Sequence, residues 1–169
     1  MTEAFDRVSV ALVCGVAGVG KSALASAFAS RWPALVVRTD LTGDSLAELV
    51  DDTRRLLSAP GGPAVGPVEA RLRALAEPID AAAGLWLIDD LHRLAPSDRR
   101  LLFRVLGQTL RRGRVLAMSR ERVGMDAGGP DHAELRLDGL GDTDARRLWL
   151  LLDELYGPAD GFEVALCRS

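Results

Sequence analysis

The residues with the clearest chemical pattern lie near the start of the chain, between Gly15 and Ser22 (GVAGVGKS). They fit G-x-x-x-x-G-K-[ST], a pattern typical of loops that hold phosphate groups. Glycines let such a loop adopt positive φ angles and approach phosphate oxygens, and the following helix offers unpaired N–H groups. Lys21 would neutralise phosphate charge, and the Ser22 hydroxyl would bind Mg²⁺. The residues predicted to contact a bound nucleotide are Gly15, Val16, Ala17, Gly18, Val19, Gly20, Lys21, Ser22 and Ala23.

Lysine usage and the flanking segments support this interpretation. The chain contains 20 arginines and one lysine, which is Lys21, where a compact ammonium fits and a planar guanidinium would not. Residues 8–14 are apolar except for Ser9, as expected for a strand buried on both faces, and residues 21–31 have an alanine-rich helical composition. A glycine-rich turn before an ordinary helix is the simpler alternative. The full pattern in this strand and helix context favours a P-loop.

A second informative segment, Leu85 to Asp90 (LWLIDD), has four apolar residues followed by two carboxylates. In a P-loop protein, the acid that ends such a strand lies across from the loop serine and holds Mg²⁺. We therefore expect Asp89 to share the metal with Ser22, and Asp90 to orient or activate an attacking water. An apolar strand that ends in two acids is common by itself, and it acquires this meaning only together with the P-loop.

Strand-like and helix-like segments alternate along the chain, which predicts a parallel sheet with helices on both faces. We expect a three-layer α/β/α fold with a mostly five-stranded parallel sheet. The predicted strands cover residues 8–14, 34–38, 85–88, 114–118 and 133–137. The predicted helices cover residues 21–31, a segment capped by Asp44 or Ser45 that runs to Leu57, residues 68–83 with a break near Pro78, residues 96–112 ended by Gly113, and residues 142–156.

Phosphates bind at the carboxyl ends of parallel strands, and Gly15, Asp89 and Arg120 all fall there. Arg120 is therefore a candidate for phosphate sensing, although Ser119-Arg120 taken alone could equally be a solvated turn. Thr39 and Asp40 end the second strand on the same side and are further candidates for a polar contact. For His92, which follows the acid pair, a structural or surface position is preferred to a role in the site.

Composition describes an ordinary globular domain. The chain has 169 residues with 48% hydrophobic and 27% charged residues, and its net charge of −3 does not favour nucleic acid or an anionic membrane. The first ten residues do not resemble a signal sequence, so we expect a cytoplasmic protein. Cys14 and Cys167 form no CxxC or Cys/His cluster, so reduced thiols are expected and a sulfur-ligated metal site is not.

With these segments located, the sequence resembles the nucleotide-binding domain of STAND ATPases. This AAA+-related group includes NB-ARC domains and the ATPase module of LuxR-type regulators. The resemblance extends from about Val8 to Leu155 and rests on CGVAGVGKS, LWLIDDLHRL, VLAMSRERVG and ELRLDGLGDTDARRL. It implies that Arg120 contacts the γ-phosphate, that ATP and Mg²⁺ are the cofactors, and that Lys21, Asp90 and Arg120 are the catalytic residues.

The sequence departs from the resemblance at two points. AAA+ hydrolases commonly place Glu after the metal-binding Asp, whereas Asp90 is one methylene shorter, a pattern of many STAND members that implies slow turnover and a switch role. STAND proteins also follow this domain with a helical lid. The predicted nucleotide-binding domain covers residues 1–156, and the tail of residues 157–169 is too short to form a lid. We therefore expect either a fragment or a minimal member of the group.

Three functions compete at this point. The first is a regulatory switch that binds Mg-ATP and hydrolyses it slowly, with ATP or ADP and a protein partner or a second copy as its partners. The second is a small-molecule kinase, for which the loop Arg120 to Arg122 would serve substrate binding. The third is a non-catalytic remnant or interaction module. Residues 99–122 hold eight arginines, which could meet DNA, an acidic partner or a neighbouring nucleotide, but a solvated helix face is preferred. Neither a membrane nor direct nucleic-acid binding is predicted.

Overall fold

The computed structural model describes residues 8–57, 66–121, 132–139, 141, 143 and 144 of the chain. The chain divides into two compact units, Met1–Leu137 and Asp138–Ser169. All the described strands belong to the first unit. The helix predicted over residues 142–156 lies outside the described residues, except that 143 and 144 have helical backbone. The predicted domain boundary at residue 156 stays a prediction.

Five strands form a single sheet. Every adjacent pair is parallel, and the spatial order is second, third, fourth, first, fifth. The strands are β1 (Val10–Cys14), β2 (Val36–Asp40), β3 (Leu85–Asp89), β4 (Arg114–Ser119) and β5 (His132–Arg136). β4 therefore lies between β1 and β3, and β2 and β5 are the edges.

Helices cover both faces of this sheet, which confirms the predicted three-layer α/β/α fold. Among the residues described, none of the helices is both long and apolar enough to cross a membrane. The helices are α1 (Lys21–Ala29), α2 (Leu46–Leu56), α3 (Val68–Ala81) and α4 (Pro96–Thr109), with a 3₁₀ turn at Leu91–Arg93.

The sheet separates two apolar clusters because successive side chains of a strand point to opposite faces. On one face, Ala11 and Val13 of β1 pack with Ala25 of α1. On the other, Val10 and Leu12 pack in a larger cluster with α2, α3 and α4. β1 is buried at every position, as expected for a strand covered on both sides. Edge strand β2 alternates instead between exposed and buried residues, because only one of its faces is covered.

α2 begins at the predicted cap. The Ser45 hydroxyl accepts a hydrogen bond from the backbone N–H of Ala47 at 3.2 Å, which satisfies a donor that the first turn would leave open. On its buried face, the Thr53 hydroxyl lies 2.8 Å from that of Thr39. Thr39 also accepts a hydrogen bond from the Trp86 indole at 3.2 Å and is 3% exposed. The prediction that Thr39 contacts the site is therefore wrong, because alternation along β2 turns it into the core.

Two predictions about the helices are also wrong, namely the break near Pro78 and the end of α4. α3 is not broken near Pro78 but continues to Ala81. Proline removes only the hydrogen bond to the carbonyl of Ala74, and both residues lie on the exposed face, where water can replace that bond. α4 ends at Thr109, before the arginines that were expected in its last turn.

A carboxylate organises the turn between α4 and β4. Asp80 Oδ1 accepts hydrogen bonds from the backbone N–H groups of Arg111, Arg112 and Gly113, each at 2.7 Å. Burial raises the pKa of Asp80, but these three bonds and the charge of Arg112 outweigh it and hold the pKa below its ordinary value. Asp80 thus ties the end of α3 to the start of β4.

We expect Asp80→Asn to destabilise the fold by about 1–2 kcal/mol at neutral pH, because three backbone donors lose their charged acceptor. A carboxyl with a lowered pKa stabilises the folded state above its unfolded pKa of about 3.9, and this stabilisation is lost as the pH falls through the folded pKa. The free energy of unfolding of the variant should therefore fall less steeply below about pH 4 than that of the wild type. Urea unfolding at several pH values measures both effects. Asp44→Asn, at an exposed aspartate, is the control, and an equal loss in both variants would contradict the role of Asp80.

Candidate functional site

The predicted phosphate-binding loop connects β1 to α1 in a conformation that requires glycine. Gly18 has φ +78° and Gly20 has φ +96°, angles at which a side chain would be strained. Gly20 is the N-cap of α1, and no side chain caps this helix. The first N–H groups of α1 therefore have no side-chain acceptor at the N-cap, unlike those of α2. Uncapped donors and a positive dipole end suit an anion.

Gly15 is fixed by crowding and not by its φ angle. Its N–H donates to the carbonyl of Ser119 at the end of β4 at 3.2 Å, and on the other side the Leu137 N–H donates to the Cys14 carbonyl at 2.7 Å. A Cβ at Gly15 would lie 2.4 Å from the Leu137 carbonyl oxygen. The start of the loop is thus held between the ends of two neighbouring strands.

Lys21 lies over the loop. Its Nζ donates hydrogen bonds to the carbonyls of Gly15 at 2.8 Å and Val16 at 2.9 Å. The residue is only 9% exposed, although a charged side chain is rarely buried without partners. The structure therefore places the single lysine of the chain with its ammonium on the loop that the sequence predicts to bind phosphate.

Ser22 and Asp89 meet across the end of β4. The Ser22 hydroxyl donates to Asp89 Oδ2 at 2.7 Å, although 67 residues separate the two. Hydroxyl and carboxylate oxygens are the ligands that Mg²⁺ prefers, so this pair fits the predicted metal site. In the part of the chain that the structure describes, no group of three or more His, Cys, Asp or Glu could hold a metal. Mg²⁺ usually keeps several waters and binds substrate phosphates beside one or two protein ligands.

Asp90 has an unusual backbone for a residue with a side chain. Its φ of 55° and ψ of 35° are left-handed, and it forms the N-cap of the 3₁₀ turn. Its N–H donates to Asp89 Oδ1 at 2.8 Å, and its carbonyl accepts from the Arg93 N–H at 2.9 Å. Aspartate tolerates this conformation better than most residues, and such local strain is common at functional sites. His92 lies next to it, with Nδ1 3.7 Å from Asp90 Oδ1.

Arg120 follows directly on β4. It is exposed and adjacent to Ser119, whose carbonyl holds Gly15 and whose hydroxyl accepts a hydrogen bond from the Glu121 N–H at 3.1 Å. Arg120 therefore lies just beyond the end of β4, next to the start of the loop. The assignment of Arg120 as a phosphate sensor stays a prediction.

Arg38 is a site residue that sequence reasoning missed. From edge strand β2 its guanidinium reaches Asp89 Oδ2 at 3.4 Å and Asp40 Oδ1 at 3.2 Å. Asp40 contacts Arg38 at the end of β2, and its candidate role in the site stays a prediction. No motif marks Arg38, and the only usable signal was its alternation with buried Val37 and Thr39. That signal becomes informative only once the pairing of β2 with β3 is known.

Several arginines between residues 99 and 122 have partners within the fold. Arg99 is 8% exposed and lies 3.9 Å from Glu121, and Arg104 lies 3.6 Å from Glu69. The Arg114 guanidinium donates to the carbonyls of Arg111 and Gly113. These arginines therefore have roles within the fold, and the interpretation of the segment as a solvated helix face stays a prediction.

A parallel five-stranded sheet, a glycine loop before α1 and an acid at the end of β3 together define a P-loop NTPase domain. The AAA domain family matches residues 6–121. Because this match covers more than half of the chain, the chain belongs to that family, whose members are P-loop ATPases. No curated protein matches the sequence.

Similar solved structures share this fold. The ORC2 protein of Aeropyrum pernix, solved as ADPNP-ADP complexes, has a TM-score of 0.62 at 16% identity, over 87% of this chain and 46% of that one. A Walker-type ATPase of Pyrococcus abyssi has a TM-score of 0.60 at 14% identity, over 91% of this chain and 56% of that one. A STAND protein with a tetratricopeptide repeat sensor from Pyrococcus horikoshii has a TM-score of 0.58 at 19% identity, over 91% and 24%. The chain thus spans less than half the length of the ORC2 chain that it matches.

We expect Gly15→Ala to destabilise the protein by about 1–3 kcal/mol, because the new methyl would force apart the loop and the Leu137 carbonyl. Val16→Ala, at the neighbouring residue whose side chain is 70% exposed, should change stability by less than about 0.5 kcal/mol. Urea unfolding of both variants without nucleotide makes the comparison. Equal stability of Gly15→Ala and the wild type would show that the Leu137 carbonyl does not exclude a side chain at position 15.

Proposed function

We propose that this domain binds Mg-ATP and hydrolyses it slowly, and that the bound nucleotide acts as a regulatory switch. The observation that carries the proposal is the hydrogen bond between Ser22 and Asp89 at 2.7 Å. A hydroxyl at the start of α1 and a carboxylate at the end of β3 are brought to the loop that already holds Lys21. Three structures of similar fold support ATP as the ligand, because two are ATPases and the third was solved as ADPNP-ADP complexes.

The residues of this site suit a triphosphate in separate ways. The uncapped N–H groups of α1 and the Lys21 ammonium would hold the phosphates, and the glycines at 18 and 20 would let the backbone approach them. Ser22 and Asp89 would hold Mg²⁺, which offsets the negative charge of the phosphates. All of these groups lie at the carboxyl ends of the strands, so a single bound triphosphate could contact them together.

Hydrolysis would use Asp90 and Arg120. Asp90 would orient the attacking water and accept its proton while the bond between the γ-phosphorus and the ADP oxygen breaks. The left-handed backbone of Asp90 and its hydrogen bond to Asp89 restrict where this short carboxylate can go. Turnover would be slow because Asp90 is one methylene shorter than the glutamate common in AAA+ hydrolases, and a base must come within hydrogen-bond reach of the water. Arg120 would contact the γ-phosphate and so distinguish ATP from ADP.

A switch role depends on slow turnover, because an ATP-bound state that persists can be recognised by another molecule. That molecule would be a protein partner or a second copy of the chain. The nucleotide would favour the conformation that this partner binds. The similarity to a signal-transduction ATPase supports this proposal over a motor. It also supports hydrolysis over transfer to a small-molecule acceptor.

We expect Lys21→Ala to weaken the binding of a fluorescent ATP analogue by roughly tenfold to a hundredfold, because hydrogen bonds to a charged group contribute about 1.5–3 kcal/mol. Arg31→Ala removes the same charge at an exposed residue just beyond the other end of α1 and should bind like the wild type. Thermal unfolding without nucleotide shows whether each variant is folded. Binding of the analogue by folded Lys21→Ala at the wild-type affinity would refute the proposed phosphate site.

Asp90→Asn should retain ATP affinity within about threefold and lose turnover by roughly a hundredfold or more, because a general base contributes about 10²–10⁴-fold. Release of inorganic phosphate under saturating Mg-ATP measures turnover. Unchanged release in the variant would exclude Asp90 as the base. Phosphate that appears on an added small-molecule acceptor would favour the kinase alternative, and negligible binding and turnover in the wild type would favour a remnant.

A further inference from the structure

Arg38 is bound to the predicted metal-binding acid by contacts that the proposed function does not use. β2 and β3 pair in register, with Arg38 opposite Leu87 and Asp40 opposite Asp89. Alternation turns Arg38 to the same face of the sheet as α1, and Arg38 is exposed there. The long side chain can therefore extend across that face toward the end of β3.

The guanidinium contacts three secondary-structure elements at once. Its Nε lies 3.2 Å from Asp40 Oδ1 on β2, its Nη1 donates to the Ser26 hydroxyl on α1 at 3.2 Å, and its Nη2 lies 3.4 Å from Asp89 Oδ2 on β3. Ser26 in turn donates to the carbonyl of Ser22 at 2.8 Å. A planar fork with several fixed donors is suited to such a task, and a lysine ammonium is not. Arg38 thus ties the first turns of α1 to the acid of β3.

Both carboxylate oxygens of Asp89 accept hydrogen bonds in this arrangement. Oδ2 accepts from Ser22 at 2.7 Å and from Arg38, and Oδ1 accepts from the Asp90 N–H at 2.8 Å. The Asp89 side chain is 13% exposed, against 41% for Arg38. Oδ2 is thus shared between Ser22 and the Arg38 guanidinium, so a cation that binds Asp89 would lie close to a second positive charge.

We propose that Arg38 positions Asp89 and raises the Mg²⁺ concentration at which the site is filled. This inference rests on the proposed function, because it assigns Mg²⁺ to Ser22 and Asp89. Arginine stays protonated throughout the physiological range, so its charge next to Asp89 opposes a divalent cation whenever the contact is present. The contact balances the negative charge of Asp89 when no metal is bound. Mg²⁺ must therefore displace the Arg38 guanidinium or bind beside its positive charge.

The test is the Mg²⁺ dependence of nucleotide binding by the full chain. A fluorescent ATP analogue at fixed concentration is titrated with Mg²⁺, and its affinity is measured separately in excess EDTA. For Arg38→Gln we expect the Mg²⁺ concentration at half-maximal binding to fall by roughly threefold to tenfold, equivalent to about 0.7–1.4 kcal/mol. Arg38→Met, which keeps the apolar stem, should behave alike. Affinity in EDTA should stay within about twofold of wild type for both.

Two control variants separate the charge from its surroundings. Arg38→Lys keeps the charge and should need nearly as much Mg²⁺ as the wild type. Arg31→Gln removes a charge from an exposed residue away from the site and should leave the Mg²⁺ dependence unchanged. An unchanged or raised Mg²⁺ requirement in both neutral Arg38 variants would overturn the inference. Weaker binding in EDTA would also overturn it, because Arg38 would then contact the phosphates directly. A wild type that binds no nucleotide under any condition would refute the proposed function itself.

Discussion

The site depends on the hydrogen bond between Ser22 and Asp89. These residues belong to elements on opposite sides of β4, so they meet only if all three strands run parallel and end at the same edge. Asp89 is largely buried, and a carboxylate in that position needs donors for both oxygens. Ser22, Arg38 and the Asp90 N–H supply them. Local conformations that would otherwise be unfavourable, such as the left-handed backbone of Asp90, are held in place by this carboxylate.

Sequence patterns predicted the parts of the fold that have a local cause. The apolar runs of β1 and β3 identify strands buried on both faces, because such strands need apolar side chains at every position. The glycine loop, Ser45 as a helix cap and the acid pair after β3 are likewise visible within a few residues. All of them lie in the structure within one or two residues of the predicted positions.

Contacts between strands could not be predicted from the same patterns. Thr39 was a candidate for a polar contact at the site but lies in the core, while Arg38, one residue earlier, reaches Asp89. A shift of one residue exchanges the two faces of a strand, and an edge strand with mixed composition does not reveal which face is covered. Asp80 is a similar case, because its three backbone partners come from a turn about thirty residues away. Nothing in the local sequence around α3 points to that turn.

The amino ends and the carboxyl ends of the strands differ in the kind of contact that they make. At the amino ends of the strands, Asp80 fixes the turn before β4 through three hydrogen bonds to the backbone, and this arrangement leaves little freedom. At the carboxyl ends, Lys21 bonds to carbonyls of its own loop, and Asp89 shares one oxygen between Ser22 and Arg38. These partners are ones that a phosphate or a cation could replace with comparable interactions. The contacts at the amino ends therefore stabilise the fold. The charged groups at the carboxyl ends make contacts that a ligand could replace. The residues of the candidate site are therefore ordered without a ligand, yet their present partners are ones that a ligand could displace.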